Sequence, residues 1–75
     1  MNRLEKEIKW TRLLPSMNIV SGELGQNSAS LVAMDECYIL KLKMAGKLKS
    51  KKIDKAYLSL YEKKEIISKE LLGNL

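Results

Sequence analysis

The feature that most constrains this chain is a helical pattern of apolar residues near its C-terminus. Between Ile53 and Leu71, apolar residues recur at spacings that place them on one face of a helix. They are Ile53, Ala56, Tyr57, Leu60, Tyr61, Ile67 and Leu71. Ser50 is a plausible N-cap, and Gly73 stands where glycine commonly follows a helix. The pattern predicts a helix over about residues 51–72.

The middle of the chain, residues 29–44, fits two kinds of secondary structure. As a helix, it places one apolar stripe along a single face, formed by Leu31, Met34, Tyr38 and Leu42. As a strand, it alternates apolar residues with others, through Tyr38, Leu40, Leu42 and Met44. Good helix formers dominate its composition, and Asp35-Glu36 is a poor two-residue hairpin turn. We therefore predict a helix here and keep the strand as the alternative.

A third helix is predicted at the start of the chain, over about residues 3–14. Asn2 followed by Glu5 resembles a capping box, and Pro15 ends the helical run. The next stretch, residues 15–27, is interrupted by Gly22 and Gly25 and is predicted to be a loop that wraps the helical hairpin. Within it, Met17, Ile19 and Val20 also fit a short strand or an apolar strap across the helices.

Together these segments predict an all-α fold with a single small helical domain over residues 1–75. The last two of its three helices would form an antiparallel hairpin joined near residues 46–50. The alternative is an α+β fold, with a β-hairpin in 29–44 between N- and C-terminal helices. A chain of 75 residues buries a small core, so a homodimer is also expected.

Composition argues against an enzyme. The chain has no histidine, and its only cysteine, Cys37, is predicted to be a buried free thiol. The adjacent acids Asp35 and Glu36 would diverge on a helix, so neither catalysis, a metal site nor a cofactor is predicted. No apolar stretch approaches the ~18 residues that a membrane span requires, and "MNRLEKEIKW" lacks a signal-peptide core. A cytoplasmic location is the resulting expectation.

The strongest functional lead is a lysine cluster in residues 41–55. Its members are Lys41, Lys43, Lys47, Lys49, Lys51, Lys52 and Lys55. The whole chain carries a net charge of +5, and lysines attract phosphates without reading bases in the paired fashion of arginine. These lysines predict a basic patch on a small regulatory protein that binds nucleic acid, DNA more readily than RNA. The simpler explanation of these lysines is a solvent-exposed connection whose charge keeps the chain soluble.

A second interpretation is a protein-interaction module, such as an inhibitor, an antitoxin or an adaptor. Its apolar helices and the 15–27 loop would dock on a partner protein. The residues proposed for this surface, or for a dimer interface, are Val32, Ile39, Leu40, Tyr57 and Tyr61. Exposed aromatic residues commonly anchor protein interfaces, which favours the two tyrosines.

Overall fold

A computed structural model of the chain describes residues 8–13 and 18–73. Its elements are β1 Lys9–Arg12, β2 Ile19–Leu24, β3 Asn27–Ala33, β4 Tyr38–Met44, β5 Lys47–Ile53 and α1 Leu60–Leu72. Within these residues, five strands form an antiparallel sheet in the order in which they follow one another in sequence. Helix α1 packs across one face of this sheet, mainly over β2 and β3. The described chain is thus a β-meander followed by a helix.

The all-α prediction is wrong, and so is the description of the chain as helical. Where the structure describes the predicted first helix, it shows β1; residues 3–7 and 14 lie outside the described part. The predicted middle helix is instead the pair of strands β3 and β4, joined by residues 34–37. The hairpin of the alternative prediction therefore occurs, but β1 replaces part of the N-terminal helix that this alternative also required.

The predicted C-terminal helix is present from Leu60 to Leu72 and not over residues 51–59. The helix begins after Ser59, whose side chain accepts a hydrogen bond from the backbone N–H of Glu62 at 3.1 Å. In return, the Glu62 carboxylate accepts from the backbone N–H of Ser59 at 3.0 Å, which completes a capping box. Ser50, the predicted cap, lies inside β5.

Two tight turns replace connections that the sequence predicted as helical or irregular. The helical hairpin predicted near residues 46–50 is wrong, because Ala45 and Gly46 form a two-residue turn between β4 and β5. Both have positive φ, 53° and 80°, as a type I′ hairpin turn requires. The described part of the predicted 15–27 loop consists largely of β2, and Gly25, with φ 61°, begins the turn into β3.

The core lies between α1 and the sheet face beneath it. Alternate strand residues point to this face, and Val20, Leu31 and Leu40 are each 1% exposed. Ile67 and Leu71 of α1 are fully buried against them. Period-two alternation buries two or three residues of each of β2, β3 and β4 on this side, whereas the edge strands β1 and β5 have no buried residue.

The opposite side of the sheet is not covered by α1, and we call it the open face. Its side chains are the strand residues out of phase with the core, as strand alternation and register require. They are Lys9, Thr11, Arg12, Ile19, Ser21, Glu23, Ser28, Ser30, Val32, Ile39, Lys41, Lys43, Leu48, Ser50 and Lys52. The open face is therefore mostly polar and cationic.

Candidate nucleic-acid interface

The seven predicted lysines lie on β4, β5 and the segment that follows β5. All seven are exposed. Two belong to β4 and four to β5, while Lys55 lies between β5 and α1. The cluster therefore occupies a β-hairpin and its exit, where the sequence predicted a bend between two helices.

Strand alternation divides the cluster between the two sides of the sheet. Lys41 and Lys43 lie out of phase with the buried Leu42, and so they project from the open face. Lys52 shares this face because it is in register with Ile39. The other three lysines of β5 lie on the helix side: Lys47, Lys49 and Lys51. The hairpin thus presents positive charge on both sides.

Most of this positive charge has no internal partner among the described residues. The Lys51 ammonium lies 3.4 Å from a carboxylate oxygen of Glu70 on α1, and this is the one ion pair within the described ranges. Such an exposed pair contributes about 0–1 kcal/mol to stability. Besides the hydrogen bonds from Ser59, the charge of Lys55 attracts the Glu62 carboxylate and helps to lower its pKa. The other five lysines of the cluster have no ionic partner in the described part of the chain, so their charge acts outward.

The lysines of β5 also have a structural effect that needs no ligand. Strand β5 is at an edge of the described sheet and is exposed along almost its whole length. An edge strand offers unpaired backbone groups to other chains, and lysines along it discourage such pairing. Protection of the exposed edge strand therefore accounts for some of the lysines in β5.

Two cations that the sequence interpretation missed also lie on the open face. Lys9 is in register with Glu23, and Arg12 is in register with Ser21. The register shifts between Trp10 and Arg12, so Trp10 faces the helix whereas Arg12 lies on the opposite side. Such a bulge re-aims a side chain. Strand register brings these cations together, and no local sequence pattern indicates it.

The five residues proposed for a partner or dimer interface are not on one surface. Val32 and Ile39 are half-buried neighbours in register on the open face. Leu40 lies in the core with 1% of its surface exposed, so it does not contribute to any surface. Tyr57 and Tyr61 are 76% and 74% exposed, on the segment before α1 and on its first turn.

A groove of about 620 Å³ lies between α1 and β1. Trp10 and Leu72 contribute its apolar surface, and Tyr61 stands at its edge. The Lys64 ammonium lies 5.4 Å from the centre of the Trp10 ring, a cation–π contact that anchors this side of α1. The groove therefore lies beside β1, the strand at the opposite edge of the sheet from β5.

Residues capable of catalysis do not converge in the described part of the chain. Cys37 is half-buried in the connection between β3 and β4, rather than buried on a helix. Asp35 and Glu36 are exposed in the same connection. The described residues contain no group of three or more potential metal-ligating side chains.

Comparison with known proteins adds no relative to this picture. No protein-family model, no curated protein and no solved structure matches the chain. Among the described residues, no helix has the length and apolar character needed to span a membrane. Functional inference therefore depends on the charge and geometry of the sheet.

Proposed function

We propose that this chain is a small, cytoplasmic, non-enzymatic regulatory or accessory protein that binds nucleic acid through the β4–β5 lysines. The observation that supports it most directly is the set of five exposed lysines, Lys41, Lys43, Lys47, Lys49 and Lys52, without an ionic partner in the described ranges. Each lysine that neutralises a phosphate releases a counterion, so binding would be strong at low salt and weak at high salt.

The contacts in this proposal are to phosphates rather than to bases. No aromatic side chain lies on the open face within the described strands, so the stacking platforms typical of base-binding sheets are missing there. Lysines also lack the forked geometry with which arginine reads guanine. Sequence specificity is therefore expected to be low.

Duplex DNA is the first candidate ligand. The major groove of B-form DNA admits a two-stranded β-ribbon, and the β4–β5 hairpin ends in the exposed turn at Ala45 and Gly46. The corresponding groove of A-form RNA is too narrow for side chains to read. DNA is thus expected to bind more tightly than duplex RNA.

The test is fluorescence anisotropy with labelled duplex DNA and RNA at about 50 and about 200 mM salt. About four phosphate contacts predict a loss of about a hundredfold in affinity between these conditions. The test variant replaces Lys47, Lys49 and Lys52 with glutamate. It leaves Lys51 in place, because reversing that charge would also disturb its contact with Glu70 on α1.

A matched pair of single charge reversals is Lys49→Glu in β5 and Lys69→Glu on the helix, both at exposed positions, and Lys49→Glu is expected to lose more affinity. The triple variant is expected to lose DNA binding and to flatten the salt dependence, with a logarithmic slope smaller by about 3. Lys69→Glu is expected to retain most of the affinity. If the triple variant binds like wild type, or if wild type binds no nucleic acid at either salt concentration, the proposal is wrong.

A protein partner is the second candidate function. Leu48 is 81% exposed, and Tyr57 and Tyr61 are also exposed, so large side chains suited to an interface accompany the lysines. In this case the lysines would steer the chain toward an acidic protein surface. Affinity capture with and without nuclease distinguishes the two: a stoichiometric acidic protein that survives nuclease and is lost with the triple variant favours this candidate.

The homodimer expected from the small core remains a separate proposal. Tyr57 and Tyr61 are its exposed candidates, whereas Leu40 is in the core. Sedimentation equilibrium over a range of protein concentrations tests it, with Tyr61→Ser as the variant expected to weaken association.

A further inference from the structure

The open face is organised into three rows of side chains that run across the strands. The first row is mostly apolar: Ile19, Val32, Ile39 and Lys52. The second, which we call the middle row, contains Arg12, Ser21, Ser30, Lys41 and Ser50. The third contains Lys9, Glu23, Ser28, Lys43 and Leu48. The middle row is therefore a line of hydroxyl groups with a cation on each side of its central serine pair.

The centre of the middle row is a pair of hydroxyl groups in a shallow depression. The hydroxyl oxygens of Ser21 and Ser30 are 2.8 Å apart and form a hydrogen bond. The depression has a volume of about 340 Å³, and Arg12 and Lys41 line it on either side of this pair. One hydroxyl donates to the other, so the second retains a hydrogen that can be donated outward. This arrangement collects donors around one small site.

The β-bulge of β1 puts Arg12 in this depression. In a regular strand, Trp10 and Arg12 would project to the same side, since they are two residues apart. The register shift between them turns Arg12 to the open face, while Trp10 stays beside α1. Bulges with this effect often lie beside functional sites. The only arginine of the described strands is thereby directed to the serine pair.

We infer that the middle row is a phosphate-binding site formed by Arg12, Ser21, Ser30 and Lys41. Phosphate oxygens accept hydrogen bonds from guanidinium, ammonium and hydroxyl groups, and the guanidinium can engage two oxygens at once. The inference rests on the proposed function, in which the phosphate belongs to a nucleic-acid backbone. It extends the anion-binding surface from β5 across the sheet to β1, a width of about 19 Å at four strand spacings of about 4.8 Å.

The charge of the open face favours a polyanion over a second copy of the chain. The described strands place five cations there against one acid, Glu23. Glu23 also lines the depression and would oppose a phosphate, but it lies in register with Lys9 in the neighbouring row. A second copy stacked on this face would bring like charges together, whereas a polyanion would neutralise them.

The test is a pair of NMR titrations of the full chain, one with inorganic phosphate and one with a short DNA duplex. Sodium chloride at matched ionic strength is the blank, because it reproduces screening without phosphate geometry. We expect phosphate to shift the backbone amides of Ser21 and Ser30 and the side-chain Nε of Arg12. Shifts confined to β5, or no difference from sodium chloride, overturn the inference.

The matched variants are Arg12→Gln and Lys52→Gln, which remove one positive charge each from the open face, inside and outside the depression respectively. A site built around the guanidinium of Arg12 predicts a loss of about tenfold or more in phosphate affinity for Arg12→Gln, and less than about twofold for Lys52→Gln. Equal losses would indicate a diffuse electrostatic attraction and overturn the inference. Arg12→Lys keeps the charge and is expected to be intermediate.

The serine pair is tested with Ser21→Ala/Ser30→Ala against Ser50→Ala, which lies on the same face but does not line the depression. We expect the double variant to weaken phosphate binding and Ser50→Ala to leave it nearly unchanged. If DNA binds through Lys47, Lys49 and Lys52 without dependence on Arg12, only this inference fails. If phosphate binds the middle row but no nucleic acid binds, the proposed function fails and the site stands.

Discussion

The phenolic oxygen of Tyr38 accepts a hydrogen bond of 3.1 Å from the backbone N–H of Leu58 in the protein interior. Tyr38 begins β4, and Leu58 lies just before α1. Both residues are buried, so the bond satisfies a donor that water cannot reach. It connects the sheet to the segment that leads into the helix.

Replacing Tyr38 with phenylalanine removes this acceptor and leaves the ring in place. We expect the free energy of unfolding to fall by about 1–3 kcal/mol, because the buried N–H of Leu58 loses its partner. The Lys63 ammonium, 5.5 Å from the ring centre, should keep its cation–π contact. Chemical denaturation followed by the fluorescence of Trp10 measures the change.

The controls for this substitution are Tyr57→Phe and Tyr61→Phe. Both tyrosines are exposed, so removing either hydroxyl is expected to change stability by less than about 0.5 kcal/mol. A loss at Tyr57 or Tyr61 as large as the loss at Tyr38 would contradict the assignment of the effect to the buried hydrogen bond.

The start of α1 gives a second prediction, which compares Ser59, the observed N-cap, with Ser50, the N-cap that the sequence predicted. Ser59→Ala removes the side-chain acceptor of the capping box and is expected to cost about 1 kcal/mol. Ser50→Ala, at the cap that the sequence predicted, is expected to have little effect because Ser50 is exposed in β5. Thermal unfolding measures the loss of stability in each variant. A larger loss for Ser50→Ala than for Ser59→Ala would contradict the start of α1 after Ser59.

The capping box also predicts a pH dependence. The hydrogen bond from the backbone N–H of Ser59 to the Glu62 carboxylate, reinforced by the Ser59 hydroxyl, lowers the pKa of Glu62 from its ordinary value of 4.5. The charged form is thus favoured in the folded chain. Its stabilising contribution is present above the unfolded pKa and disappears as pH falls through the folded pKa.

Glu62→Gln tests this linkage, because glutamine can keep the hydrogen bonds of a capping box without the titrating charge. We expect wild type to be more stable than this variant near neutral pH, and the difference to shrink as the pH is lowered to about 3. Denaturant unfolding across this range provides the measurement. A difference that does not change with pH would contradict the role of the charge.

The turn between β4 and β5 gives a fourth prediction. Ala45 has φ 53°, a region that costs a residue with a Cβ about 1 kcal/mol and that asparagine tolerates better. The amide of Asn27 accepts a hydrogen bond from the Ala45 N–H at 3.0 Å, and this backbone contact survives substitution. Ala45→Asn is therefore expected to raise the melting temperature, and the β-branched control Ala45→Val to lower it; the reverse order would contradict the turn.

The error in the predicted fold arose from a segment whose apolar residues fit both periodicities. Leu31, Tyr38 and Leu42 fall on one helical stripe, but Leu31 and Leu40 are also cross-strand neighbours in the core. Asp35-Glu36 is a poor two-residue turn, but the connection spans residues 34–37 and contains a hydrogen bond from the Met34 N–H to the Cys37 carbonyl. Strand propensity is set by packing partners, which one segment does not reveal.

The helix boundary, by contrast, was available in the sequence. Ser59 and Glu62 have the spacing of a capping box, which is a local signal, so the prediction of Ser50 as the N-cap is wrong on local grounds. Of the predicted helical face, Ile67 and Leu71 are fully buried, whereas Tyr61, which was predicted to share that face, is 74% exposed. Local hydrogen bonding decides such features, so they can be read before the fold is known.

The sequence by itself determined the final helix, the net positive charge and the concentration of lysines between residues 41 and 55. Only the tertiary structure decided that Lys49 and Lys52 project from opposite sides of one strand. It also decided that Arg12 reaches the serine pair, through a bulge that depends on β2. Helical spacing and charge are local properties, whereas strand faces are set by register with partners distant in sequence.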